Sequence, residues 1–265
     1  MRPEIIEYIA LFLFGTAIGS FLNVVIYRIP AGLSIVKPGS FCPKCKRSIK
    51  PYENVPVLSY IFLLGRCAGC KSSISFRYPL IECSMGLLAI LMLWKFGWSW
   101  DLLIYTTLAA FLLSLTIIDL DVYRLPNPIT ITGSIFAIVL TLAFRRSFIL
   151  DMILGGVVGI GVLSLQGLVG SLIVRLTRKK KTSALGLGDV KFAGMIGLFL
   201  GPGQTGGMFI LGIFIATLIS IVLIVAGKRG WTQRIPFGPY LAAGALLSLF
   251  YGKDIWAWYW SFLKL

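Results

Sequence analysis

Apolar runs of about bilayer length recur along this chain, separated by polar loops, and that alternation constrains the fold more than any single motif. A helix needs ~20 apolar residues to span the hydrocarbon core, and its backbone bonds are then satisfied internally. Eight segments approach this description: 8–27, 79–97, 102–118, 129–144, 150–174, 190–203, 208–227 and 237–251. The sixth is short and rich in glycine. With 57% hydrophobic residues, 13% charged residues and a mean hydropathy of +0.89, the chain is too apolar for a soluble domain of its length. The expected fold is all-α, a polytopic membrane helix bundle of about eight transmembrane helices. The first run passes into Asn23 and Tyr27-Arg28 without a small-residue cleavage pattern, so it is expected to stay as a helix rather than to be removed as a signal peptide.

The net charge of +15 would suggest nucleic acid in a soluble protein, but its placement points to membrane topology. If the N-terminus lies outside the cytosol, 19 of the 25 basic residues fall on the cytosolic side. They are the cluster from Arg28 to Arg77, Arg124, the group from Arg175 to Lys191, and Lys228, Arg229 and Arg234. The positive-inside bias therefore predicts both termini outside, with Arg145 and Arg146 against the trend. The run from Arg178 to Lys181 reads as a solvated face near anionic lipid, and no nucleic-acid partner is expected.

The largest polar stretch, 28–78, carries a metal-ligand pattern: Cys42-Pro-Lys-Cys45, 21 intervening residues, then Cys67-Ala-Gly-Cys70. Two CxxC pairs can give four thiolates to a tetrahedral Zn²⁺, with proline and glycine easing the two turns. Disulfides compete, but this side of the membrane is expected to be reducing. Four protein ligands leave no open position for water, so the zinc is expected to be structural. A segment this short and polar needs such a staple to fold. Cys83 lies outside the pattern and reads as a packed thiol.

The chain contains no histidine, which excludes a Ser-His-Asp or Cys-His nucleophile and an HExxH zinc protease. Carboxylates, lysine, tyrosine and thiols remain for proton chemistry. Of ten carboxylates, Glu4 and Glu7 sit in the N-terminal tail, Asp101, Asp151 and Asp254 at outer helix ends, and Glu53 in the zinc segment. Glu82, Asp119, Asp121 and Asp189 are left near the cytosolic boundary, where an ionisable group is costly and a functional candidate. Asp119 closes the third apolar run, while Asn127-Pro128 is read as the N-cap and first turn of the fourth. Asp189 opens the sixth after the flexible glycines Gly186 and Gly188. Two carboxylates close together in a water-poor site share one proton, so one can activate water while the other hydrogen-bonds a carbonyl. The bland reading is that each is a helix cap or an arginine partner. Lys191 reads as a lysine reaching the lipid surface, and Pro236, Gly238 and Pro239 as a loop end.

Gly186-Leu187-Gly188-Asp189 matches the GxGD signature of membrane aspartyl proteases, and together with Asp119 it resembles the type IV prepilin peptidases. Further blocks agree: Gly19-Ser20-Phe21-Leu22-Asn23-Val24-Val25, the two CxxC pairs, Arg77-Tyr78-Pro79-Leu80-Ile81-Glu82, and Pro236-Phe237-Gly238-Pro239-Tyr240. The chain departs from some relatives at Ser75-Phe76. The resemblance implies an enzyme of the bacterial inner membrane. It would cleave the basic leader from prepilin or pseudopilin precursors and N-methylate the new terminus with S-adenosylmethionine. Asp119 and Asp189 match the family's catalytic aspartates. For the methyl donor the candidates are Arg77 and Glu82, beside the zinc segment. The expected division is a first transmembrane helix at 1–27, a cytosolic zinc-binding and methyltransferase part at 28–78, and a protease bundle at 79–265. The competing readings are a peptidase without methyltransferase activity, a proton- or cation-coupled transporter with a zinc docking module, and an assembly scaffold with structural aspartates.

Overall fold

A computed structural model of the chain describes residues 4–178, 186–226 and 236–263. The basic residues Lys179–Lys181, Lys228, Arg229 and Arg234, used above for topology, lie outside the described residues. Among those described the regular structure is helical: α1 (Ile5–Arg28), α2 (Leu58–Phe62), α3 (Arg77–Phe96), α4 (Trp100–Val122), α5 (Asn127–Phe144), α6 (Ile149–Arg178), α7 (Leu187–Leu200), α8 (Pro202–Val225) and α9 (Gly238–Leu263). Each of the eight expected segments falls on one of these helices, α2 aside. Six are long and apolar enough to cross a membrane, namely α1, α3, α4, α5, α6 and α8, as in a multi-pass membrane protein. The count of eight spans is therefore not reached on these terms. With 14 residues, α7 rises only ~21 Å, and the apolar stretch of α9 breaks at Gly252-Lys253-Asp254.

The chain divides into two compact units, Met1–Ser114 and Leu115–Leu265. In the first, α1 and α3 pack through small residues spaced four apart. A Cβ on Gly15 would stand 2.8 Å from the Cα of Gly86, and one on Gly19 would stand 2.7 Å from the Cα of Glu82. Lipid supplies no hydrophobic drive between helices, so close backbone approach and hydrogen bonds must hold them. Asn23 supplies one such bond, its side-chain amide donating to the carbonyl of Tyr78 at 3.2 Å.

In the second unit, α7 is the hub, packed against α5, α6, α8 and α9. Its residues Phe192–Gly197, Phe199 and Leu200 are buried, which fits a helix apolar on every face. Gly155 and Gly159 of α6 face Gly197 and Ala193 of α7 so closely that a methyl on either glycine would strike a backbone carbonyl. Gly212 and Gly244 join α8 to α9 in the same way. The short α7 is thus fixed from its second turn onward by a dense helical surround, while its first turn, with Asp189, is less enclosed.

Candidate active site and metal centre

Asp119 lies in the last turn of α4 and is only 4% exposed. Its carbonyl accepts the N–H of Tyr123 at 3.0 Å, and Tyr123, at φ 53°, turns the chain out of the helix. The carboxylate Oδ2 accepts the backbone N–H of Gly238, at the start of α9, at 2.8 Å. Asp189 is the third residue of α7, half-buried, and close enough to Asp119 to feel its charge. Both belong to the second unit, so folding brings together two of the boundary carboxylates that elimination had left. Asp121, two residues after Asp119, is exposed.

Three local expectations change. Neither Gly186 nor Gly188 has the left-handed backbone that would demand glycine for flexibility. Space is the reason instead: a Cβ on Gly186 would stand 3.1 Å from Oδ2 of Asp189, and one on Gly188 would stand 3.2 Å from the Cβ of Leu125. Asn127 is the first residue of α5 rather than its N-cap, which is Pro126. Its side-chain oxygen accepts the Lys191 ammonium at 2.9 Å, so Lys191 ties the first turn of α7 to that of α5.

The four cysteines of the first unit converge, with every Sγ within 4.8 Å of the others. Cys42 and Cys70 are 3.8 Å apart, Cys45 and Cys67 4.0 Å. A regular tetrahedron with Zn–S of ~2.3 Å has sulfur separations of ~3.8 Å, so the set fits Zn²⁺. Two like knuckles build it. The Cys42 N–H donates to the Arg47 carbonyl at 2.9 Å, and the Cys67 N–H to that of Ser72 at 2.8 Å. In each, the left-handed residue is the lysine after the second cysteine, Lys46 at φ 59° and Lys71 at φ 58°, not the proline or glycine inside the CxxC. The N–H groups of Cys45 and Lys44 pull the Cys42 thiol down to about 6, whereas burial and hydrogen bonds to the neighbouring thiols push that of Cys45 up to about 11, so without metal the set is not uniformly thiolate. Arg47 pairs with Glu53 at 2.7 Å and holds that carboxyl below its usual range.

Of the two candidates for the methyl donor, Arg77 is exposed at the start of α3, whereas Glu82 is buried one and a half turns on. Glu82 Oε2 accepts the N–H of Val57 at 2.8 Å, and Ser20 of α1 also bonds this side chain. Its carboxylate is therefore engaged in holding the loop before α2.

Residues 106–225 match the type IV leader peptidase family, and residues 13–96 match the bacterial peptidase A24 N-terminal domain. A prepilin leader peptidase/N-methyltransferase of Neisseria gonorrhoeae is 32% identical over 91% of this chain and 90% of its own length. This chain belongs to the type IV leader peptidase family. Relatives of the same name in Aeromonas salmonicida, 32% identical over 94% of this chain and 92% of the relative, and Bacillus subtilis, 31% over 94% and 96%, extend the likeness end to end. No solved structure matches. Asp119 and Asp189 both fall inside the stretch matched to the family, whereas Gly238 lies beyond it. Nothing in the sequence marked Gly238 as a partner of Asp119. The signals available were a glycine between two prolines, which a helix start alone explains, and its place in the Pro236–Tyr240 block of the family resemblance, which names no partner.

Proposed function

We propose that this chain is a membrane-embedded aspartyl endopeptidase that cleaves the leader from type IV prepilin or pseudopilin precursors and N-methylates the new terminus. The observation that carries the peptidase half is that Asp119 and Asp189, from α4 and α7, lie in one compact unit within reach of each other's charge. One carboxylate takes a proton from water as the water attacks the scissile carbonyl, and the other donates a hydrogen bond to the carbonyl oxygen as charge builds on it. The proton held by the acidic member then passes to the leaving amine, and the pair is ready again. Asp119 does satisfy an opening N–H of α9, but capping alone gives no reason for a second boundary carboxylate, Asp189, within reach of its charge.

For the second activity, S-adenosylmethionine supplies an electrophilic methyl group when bound. Exposed Arg77 carries charge suited to the donor's carboxylate. Glu82 acts by fixing the loop that borders such a site. Cys42, Cys45, Cys67 and Cys70 would hold Zn²⁺ with four protein ligands, leaving no open position, and so would staple the segment rather than take part in the chemistry. We place the methyltransferase part in 28–78, with Glu82 of α3 supporting its loop, and the peptidase in the rest of the bundle of 79–265. The basic loops favour the cytosolic face of a bacterial inner membrane for both. Purified protein in detergent, given a prepilin and S-adenosylmethionine, should release the leader and add one methyl group to the mature product. Cleavage without methylation would reduce the proposal to a peptidase.

A further inference from the structure

We propose that Gly238 is a positioning residue for peptide cleavage: its backbone N–H, and the absence of a side chain on it, seat the Asp119 carboxylate in a single orientation. This rests on the peptidase reading of Asp119 and Asp189.

Two independent features of Gly238 converge on the same carboxylate. Its N–H donates to Asp119 Oδ2 at 2.8 Å in a buried setting. A Cβ built on it would stand 2.7 Å from that oxygen and 3.2 Å from both Cβ and Cγ of Asp119. Glycine is often kept for a left-handed backbone, but φ at this position is not in that region. What the position demands is therefore space for the carboxylate. Gly238 is also the first residue of α9, whose opening N–H groups have no partner within the helix. Asp119 satisfies one of them from outside.

The consequence for chemistry follows from donor and acceptor roles. A backbone N–H can only donate, so Oδ2 is committed as an acceptor. Whenever the proton shared by the two aspartates resides on Asp119, it sits on Oδ1. A carboxylate free to rotate would present either oxygen and would spend part of its time unable to pass the proton along the reacting line. Asp189 has a similar steric wall, Gly186, whose Cβ would stand 3.1 Å from its Oδ2. Each aspartate thus rests against a glycine, and Asp119 is in addition hydrogen-bonded to its own.

The test compares prepilin cleavage by wild type, Gly238→Ala and a backbone variant in which glycolic acid replaces Gly238, turning the amide N–H into an ester oxygen without adding an atom. Gly238→Ala should lower kcat about 100-fold, the scale of a misplacement of ~1 Å at a reacting group. KM should stay within about twofold, because the interaction acts on chemistry rather than on substrate binding. The ester should lower kcat about tenfold with thermal unfolding unchanged, a split that loss of packing alone would not give. If Gly238→Ala loses stability, the ester variant decides: cleavage at the wild-type kcat overturns the proposal. Wild-type kcat in a stable Gly238→Ala also overturns it while leaving the peptidase reading intact. A wild-type protein that cleaves no prepilin overturns both.

Discussion

Val57 donates its backbone N–H to the buried Glu82 carboxylate at 2.8 Å while holding φ at 61°, a conformation that a β-branched residue rarely adopts. Such strain costs on the order of 1–3 kcal/mol and persists only where surrounding contacts fix it. The bond to Glu82 of α3 is one contact that holds it, beside the bond from the Ile61 N–H to the Val57 carbonyl. Replacing Glu82 with Ala leaves a part-buried N–H without its partner and should lower stability by about 1–3 kcal/mol. Glu82→Gln keeps an acceptor oxygen and should stay within about 1 kcal/mol of wild type. Chemical denaturation in detergent measures both, and equal stability of the Ala variant and wild type would show that the bond to Glu82 does not hold Val57.

Asp119→Asn and Asp189→Asn should each abolish leader cleavage, by about 10²–10⁴-fold or more, because each removes a proton-transfer group. Both variants should remain folded and inserted. Asp121→Asn should be far milder, since Asp121 is exposed and points roughly 200° around α4 from Asp119. Near-wild-type cleavage by either Asp119→Asn or Asp189→Asn would remove the dyad.

Metal analysis of protein purified under reducing conditions should give about one Zn²⁺ per chain. Release should follow acidification, and the sign is fixed by the thiols. A thiol lowered to about 6, as at Cys42, remains a thiolate above that value and is protonated as the pH falls through it. Zinc competes with the proton for all four sulfurs, so release should occur as the pH falls and not as it rises. Two disulfides and no metal would refute the site.

The two activities should separate by mutation. Asp119→Asn should still methylate a synthetic pre-cleaved pilin N-terminus, because methyl transfer needs an amine aligned with the sulfonium methyl and not an aspartate pair. The double change Cys67→Ser and Cys70→Ser should impair methylation more than cleavage. The reverse pattern, with methylation lost in Asp119→Asn and kept without the zinc ligands, would show that the division of the chain is drawn wrongly.

Removing the Lys191 ammonium tests the anchoring of α7. Lys191→Met loses the bond to Asn127 and should cost about 0.5–1.5 kcal/mol, with cleavage reduced through a less fixed Asp189. The combination Lys191→Met with Asn127→Ala should be little worse than Lys191→Met alone if the two act as a pair.

The helices were legible because hydrophobic burial and backbone satisfaction in a membrane act over whole segments, so an apolar run announces itself without its neighbours. The four cysteines were legible for a similar reason, since two short knuckles need only local spacing. Asp119 and Asp189 stood out by their boundary positions and by the lack of histidine. How these parts are held was another matter. Gly155 and Gly159 are spaced as helix-packing residues in the sequence, yet that they meet Gly197 and Ala193 depends on which helix lies opposite. The lysines Lys46 and Lys71 adopt left-handed conformations that no propensity would assign them, because closing the knuckle requires one there. Gly238 and Asp119, Val57 and Glu82, and Lys191 and Asn127 are partners across 119, 25 and 64 residues. A hydrogen bond needs its two atoms within about 3 Å. The chain specifies the donors and the acceptors, but only the packed helices bring each pair that close.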